Sequence, residues 1–202
     1  MKIDLTGSPL KPAIWHDWKQ VGDITGEAFA QDPVNQWAFR KPASIRSMFR
    51  VMAREIYLRF GQGFIHPEGG ATMWMPPGIS AKPSRVGMMR FALGQIAHGT
   101  SGAIGRGQAL SQLMHDWHPR DAHMYLFSIG TTQAARGKGV GKALLAPVLA
   151  ACDQARLPVY LENSNPQNSG FYSVHGFERM GVFEIGGHGS PVMEPMWREP
   201  KS

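Results

Sequence analysis

A mixed α/β sheet is the fold class that this sequence predicts, and three observations carry it. HMYLFSIGT, residues 123–131, is a run of mostly bulky apolar residues, the pattern of a central strand covered on both faces. ARGKGVGKALL, residues 135–145, follows at once as a glycine-rich turn that runs into strong helix formers. PVYLEN, residues 158–163, is a second strand, so strand, turn, helix and strand imply a right-handed crossover and a parallel pair.

The other elements follow in order. WKQVGDITGEAFA, residues 18–30, places Val21, Ile24 and Ala28 on one face of a first helix, which Asp32-Pro33 ends. Ser44 reads as an N-cap for a second helix in which Ile45, Met48, Phe49, Met52 and Ile56 fall at helical spacing, with Gly61 closing it. Two apolar runs, around Phe64-Ile65 and from Thr72 to Met75, flank PEGG as a hairpin that Pro76-Pro77 ends. This hairpin makes the sheet mixed. Residues 85–115 read as helix pieces interrupted by glycine. After the glycine turn, Val140, Leu144, Val148 and Cys152 form one apolar helical stripe, with Pro147 expected to kink the helix or shift its register. A short polar helix from about Pro166 to His175, a strand over 177–185 and a last strand over 191–197 complete the chain.

Two hundred and two residues suffice for one sizeable core, so residues 1–202 are expected to form a single domain. The composition, 43% hydrophobic and 18% charged, is that of a globular protein rather than a disordered one. Cys152 is the one cysteine, which excludes an internal disulfide framework and a cysteine-only zinc site and points to a reducing compartment. No apolar run reaches eighteen residues and the first residues carry no apolar signal region, so the expected location is cytoplasmic, with no membrane partner. The net charge of +6 fits a nucleic-acid surface, an acidic ligand or simple solubility. The basic residues form no block and are not interleaved with aromatics, so nucleic acid is not an expected partner.

Local placement of charge is more informative. A strand that passes through a glycine turn into a helix presents unpaired N–H groups and the positive end of the helix dipole to an anion. Each charge–dipole contact contributes about 0.3–1 kcal/mol, and about 2 when partly buried. Arg136, Lys138 and Lys142 add formal charge there, so a pyrophosphate is the expected guest; the competing reading is a strand-to-helix turn with no ligand. A Walker A loop is excluded, because Arg136 stands where its first glycine is needed and Ala143 where Ser or Thr must follow. A dinucleotide fingerprint fails as well, with Lys142 or Leu144 in place of its third glycine.

What remains, Arg136-x-x-Gly139-x-Gly141, resembles the signature of the GNAT superfamily of acetyl-CoA-dependent N-acetyltransferases. LENSNPQNSGFYSVHGFE, residues 161–178, is similar to that family's second landmark, an Asn-led short helix ending in Tyr and followed by Gly-Phe. ALLAPVL, Leu161-Glu162, Phe171-Tyr172 and Gly176-Phe177 resemble more closely the branch that contains puromycin N-acetyltransferase. The sequence departs from that pattern in having Arg at 136 instead of the commoner Gln, and Asn168 where many members have Ala. The resemblance covers residues 120–180 and implies a sheet whose two central strands splay apart. It implies that pantetheine inserts there against the backbone of Ile129, Gly130 and Thr131. The amides of Gly137, Lys138, Gly139, Val140, Gly141 and Lys142 would then hold the diphosphate, near Arg136. Acetyl-CoA as donor and an amine of a small molecule or peptide as acceptor are the partners so implied, and a homodimer is left open. No metal is expected.

Acetyl transfer to an amine poses two proton problems. Deprotonating a lysine-like ammonium at pH 7 costs about 4.6 kcal/mol, and the departing thiolate, with a pKa of about 8.5, benefits from a proton donor. Tyr172 takes the donor role by the resemblance; the alternative is a tyrosine packed beside Phe171 and Phe177. Glu162, at the carboxyl end of its strand, is the candidate base, acting through water; the alternative is a surface or ion-paired glutamate. Asn165 and Asn168 fit either helix capping or cofactor contact. Asp32 and Asn35 are placed at the border of the acceptor pocket by analogy. HDWHPRDAH, residues 115–123, is dense in histidine but matches no metal motif, so structural or rim roles are expected. His175 reads as a cation at a helix C-terminus, and Cys152 as core, which leaves direct transfer. The rival to the enzyme is a non-catalytic acyl-CoA-binding module of the same fold.

Overall fold

The structure, a computed structural model, describes residues 3–201. Its eight strands form a mixed sheet in the order β1-β2-β3-β4-β5-β8-β6, with β7 pairing β8. They are β1 (Lys11–Ala13), β2 (Gln62–His66), β3 (Gly70–Met75), β4 (Met124–Thr131), β5 (Val159–Asn163), β6 (Glu178–Arg179), β7 (Phe183–Glu184) and β8 (Val192–Arg198). Only β4 and β5 run parallel among the neighbours; the β2–β3 hairpin and the remaining pairs are antiparallel. The expected mixed α/β architecture is therefore present.

The helices are α1 (Trp18–Ala28), α2 (Pro33–Phe39), α3 (Pro42–Met52), α4 (Leu58–Phe60), α5 (Arg85–Ala97), α6 (Ala103–Trp117), α7 (Val140–Gln154) and α8 (Ser169–Val174). None of the described helices is long and apolar enough to cross a membrane. The stripe Val140, Leu144, Val148 and Cys152 is buried as expected and packs α7 on one face of the sheet, among Leu126, Leu161 and Met196. On the other face, Val21 and Ile24 of α1 join Ile45, Met48 and Phe49 of α3 over Ile65 and Met73. The helix runs through Pro147 without ending.

Three local expectations are corrected. α1 already ends at Ala28, and Asp32-Pro33 instead starts α2: Asp32 accepts the N–H of Asn35 at 2.9 Å, and Pro33 occupies the first turn. Ser44 is not an N-cap, because α3 already begins at Pro42; its buried hydroxyl instead donates to Gln95 Oε1 and meets Thr100 Oγ1 at 3.0 Å. The single strand expected over 177–185 is split into β6 and β7, both ending on β8. A wide π turn, Ala53–Tyr57, joins α3 to α4, and no sequence signal announced it.

Two irregularities open the sheet. Met73 pairs with Ser128 and Trp74 with Leu126, which leaves Phe127 as an extra residue on β4. Such a bulge shifts the alternation of side chains: Met124 and Leu126 face α7, whereas beyond the bulge it is Ile129 that does so. Pairing of β4 with β5 stops at Leu126 and Leu161, so the two strands are unpaired beyond that point. This is the splay between central strands that the sequence resemblance implied.

Candidate active site

A cavity of about 460 Å3 lies at the end of β4, lined by residues of β4, the glycine turn, α7 and α8. The turn begins as a single 3-10 turn over Gln133–Ala135, and the chain then passes through Gly137 and Gly139, with φ of +75° and +77°. Such a backbone is open to glycine at little cost and unfavourable for other residues. Gly139 is the N-cap of α7, and its carbonyl accepts the first helical bond from the Ala143 N–H at 3.0 Å. The amides of Val140, Gly141 and Lys142 thus form the donor end of the helix. Gly141 is small for another reason: a Cβ there would lie 3.2 Å from Cζ of Phe171, so that ring would have to give by a few tenths of an ångström.

Of the residues named from sequence, Ile129, Gly130, Thr131, Arg136, Gly137, Gly139, Val140, Gly141, Lys142, Asn168 and Tyr172 all line this cavity. Lys138, Asn165 and Glu162 do not. Asn165 caps the short turn Pro166–Asn168 by accepting the Gln167 N–H at 3.1 Å, which is the capping alternative. Ala135, Phe171 and His175 complete the wall. His175 stands at the end of α8, with Nδ1 2.7 Å from the Phe171 carbonyl oxygen.

Tyr172 is buried, with Phe171 and Phe177 edge-on to its ring at centroid distances of 5.3 and 5.9 Å. Burial first, and the charge of Asp32 second, push its phenol above the ordinary tyrosine value. Its proton is therefore held at neutral pH, and the gap to a thiol is wider than the unperturbed values suggested. Asp32 is itself buried; it accepts from Ser164 Oγ at 2.6 Å and from the Asn35 side chain at 2.8 Å, and desolvation raises its pKa. This ties the α1–α2 junction to the segment after β5, close to Tyr172.

Glu162 lies on the opposite face of β5, the face of Tyr160, immediately past the last β4–β5 pair. Its side chain is 1% exposed, so the surface alternative is discarded. The Tyr125 hydroxyl donates to Oε2 at 2.7 Å, and Oε1 has no hydrogen bond. His118 Nδ1 stands 3.6 Å from Oε1. Sequence reasoning missed Tyr125 and His118 as neighbours of Glu162. The histidine density at 115–123 was visible, but its meaning depends on how the end of α6 folds back onto β5. No group of His, Cys, Asp or Glu among the described residues is arranged to hold a metal ion.

The sheet splays at the one parallel pair among the described strands, with a helix N-terminus and two basic residues at the opening. Residues 96–179 match the family model of the GNAT acetyltransferase domain. The chain is 27% identical over 207 residues to an uncharacterized N-acetyltransferase of Schizosaccharomyces pombe, covering 92% of this chain and 81% of that one. Its fold is similar to that of a histone acetyltransferase HPA2 and related acetyltransferase from Corynebacterium glutamicum, with a TM-score of 0.66, 23% identity and coverage of 96% and 97%. It is also similar to arylalkylamine N-acetyltransferase 2 from Aedes aegypti, with a TM-score of 0.58, 11% identity and coverage of 95% and 98%.

Proposed function

We propose that the protein is an acetyl-CoA-dependent N-acetyltransferase that moves the acetyl group directly to an amine of a small molecule or peptide. The observation that supports this most is the opening between β4 and β5 beyond Leu126 and Leu161. It has the glycine turn and Tyr172 on one sheet face and Glu162 on the other.

The residues present fit acetyl-CoA. Donor amides at Val140, Gly141 and Lys142 suit a diphosphate, and a Cβ built at Gly137 or Gly139 would meet nothing within 4 Å, so the approach is open. The side chains of Arg136 and Lys142 offset phosphate charge. Past Leu126 the β5-facing edge of β4 has unpaired backbone groups, and at Ile129, Gly130 and Thr131 these can pair with the amides of a pantetheine arm. When bound, acetyl-CoA supplies the activated acyl group as a thioester. The Tyr172 hydroxyl gives a proton to the departing sulfur, and Glu162 removes the proton of the acceptor ammonium through water. Cys152 takes no part: it is fully buried, and desolvation pushes its thiol up to about 12.

The acceptor is the part to be determined by experiment. Screening amines for release of CoA, with puromycin-like compounds and polyamines included, should give turnover with at least one class. Absence of turnover with every class, together with intact CoA binding, would favour the non-catalytic acyl-CoA-binding module. CoA affinity that falls only shallowly with added salt would also separate this site from a nucleic-acid surface, for which the dependence is steep.

A further inference from the structure

The hydrogen atoms around Glu162 are ordered by a single carbonyl. His123 Nδ1 lies 2.6 Å from the Asp121 carbonyl oxygen, and a carbonyl only accepts, so Nδ1 carries the hydrogen. Burial holds His123 below the ordinary histidine range, which makes it the neutral ring with a bare Nε2. That nitrogen is 3.1 Å from His118 Nε2, which must therefore be the donor. A neutral His118 then has a bare Nδ1, the atom that stands 3.6 Å from Glu162 Oε1.

Oε2 already accepts from Tyr125, so Oε1 is the free position of the carboxylate. An ionised Glu162 and a neutral His118 place two lone pairs toward each other, and one proton fits between them. The other titratable groups facing this pair do not compete for it. Tyr57 on the π turn, Tyr125 on β4 and Tyr160 on β5 are all pushed upward, by burial first and the Glu162 charge second, and keep their protons. The rings of Tyr125 and Tyr160 stand edge-on to His118 at 4.9 and 5.0 Å and fix its orientation. Trp197 packs on His123 at 5.5 Å. Glu162 is sealed, whereas the His118 side chain is 33% exposed.

From this geometry we propose that His118 and Glu162 form a one-proton pair, which receives the proton of the acceptor ammonium at Glu162 and releases it to water from His118. The inference rests on reading Glu162 as the base. An N–H bond of the ammonium breaks with its electron pair left on nitrogen, a bridging water takes that proton, and the water gives one of its own to Glu162, whose side chain is 1% exposed. The proton then moves to His118 Nδ1 and from there to water, restoring both groups. His123 and the Asp121 carbonyl act by holding His118 in the tautomer whose bare nitrogen faces the carboxylate.

Nitrogen NMR of the full-length protein labelled at its histidines tests this without any ligand. The expected spectrum shows His123 with hydrogen on Nδ1 and His118 with hydrogen on Nε2. The His118 Nδ1 signal should move in Glu162→Gln, since the group that faces it at 3.6 Å changes from a carboxylate to an amide. A wild-type spectrum with hydrogen on His123 Nε2, or a His118 Nδ1 signal unmoved by Glu162→Gln, overturns the pair. The wild-type spectrum decides the tautomer order even if the variant does not fold. With an acceptor in hand, His118→Gln should lower kcat/KM about 100-fold and move the rising limb of its pH profile. A limb left in place means that His118 only packs. Failure of every amine to turn over, with the expected spectrum, counts against the proposed function and not against the proton order.

Discussion

Replacing Gly139 with valine separates what the turn demands of its backbone from any effect of crowding. Gly139 has φ of +77°, and a Cβ built there meets nothing within 4 Å, so a side chain at this position collides with no neighbour. The cost lies in the left-handed backbone, about 1–2 kcal/mol for an ordinary residue and at least that for a β-branched one. For a chain of this length each kcal/mol moves Tm by about 2–4 °C, so the ligand-free variant should melt about 2–8 °C lower. Relief of that strain requires the turn to leave its conformation, and the amides of Val140, Gly141 and Lys142 then no longer point together at the cavity. Thermal unfolding with and without CoA reads both effects. At 100 times Kd a ligand stabilises by about 2.7 kcal/mol, and after a 100-fold loss of affinity the same concentration gives about 0.4 kcal/mol. The expected result is a lower melting point and near loss of the CoA-induced rise. A variant that keeps the whole CoA-induced rise would refute the role assigned to this turn.

Two other outcomes are expected. Tyr172→Phe should lower turnover about 100-fold or more while the CoA-induced rise in Tm persists, as measured by CoA release and thermal unfolding; wild-type turnover would leave Tyr172 as a packing residue only. Asp153→Asn should cost about 3 kcal/mol in urea unfolding. It breaks the paired contacts of 2.7 and 2.8 Å to Arg198, whose side chain is 3% exposed. The hydrogen bonds from Arg198 hold the Asp153 carboxyl below its ordinary range. Its stabilisation is thus complete above the unfolded carboxylate value, about 3.9, and is lost as pH falls through the lower folded value. The variant should show a flatter decline on acidification, and an unchanged acid limb would contradict the assignment.

The carboxy-terminal half was legible because its signals are local. A bulky apolar strand, a glycine turn and the stripe Val140, Leu144, Val148 and Cys152 each state their environment within a few residues. Asn165 as a cap and His175 at the end of α8 were likewise readable from position. What escaped depends on distant chain. Ser44 resembles an N-cap in isolation, but Pro42 starts the helix and the hydroxyl meets Gln95 and Thr100, more than fifty residues away. Asp32 reads as a stop until Ser164 is seen 2.6 Å from it across the fold. The bulge at Phe127, which turns Ile129 toward α7, leaves no mark in an apolar run with few polar interruptions. The cluster of Tyr125, His118 and Glu162 exists only because the end of α6 returns to β5.

The diphosphate of CoA is expected to rest on the amides that open α7. Backbone amide NMR during titration with CoA tests this most directly. The first and largest shifts are expected on Gly137 and on Gly139 to Lys142, and pantetheine without the diphosphate should leave them in place. Shifts centred elsewhere, for example on the open groove lined by His16, Asp23 and Ile24, with these glycine amides unmoved, would contradict it.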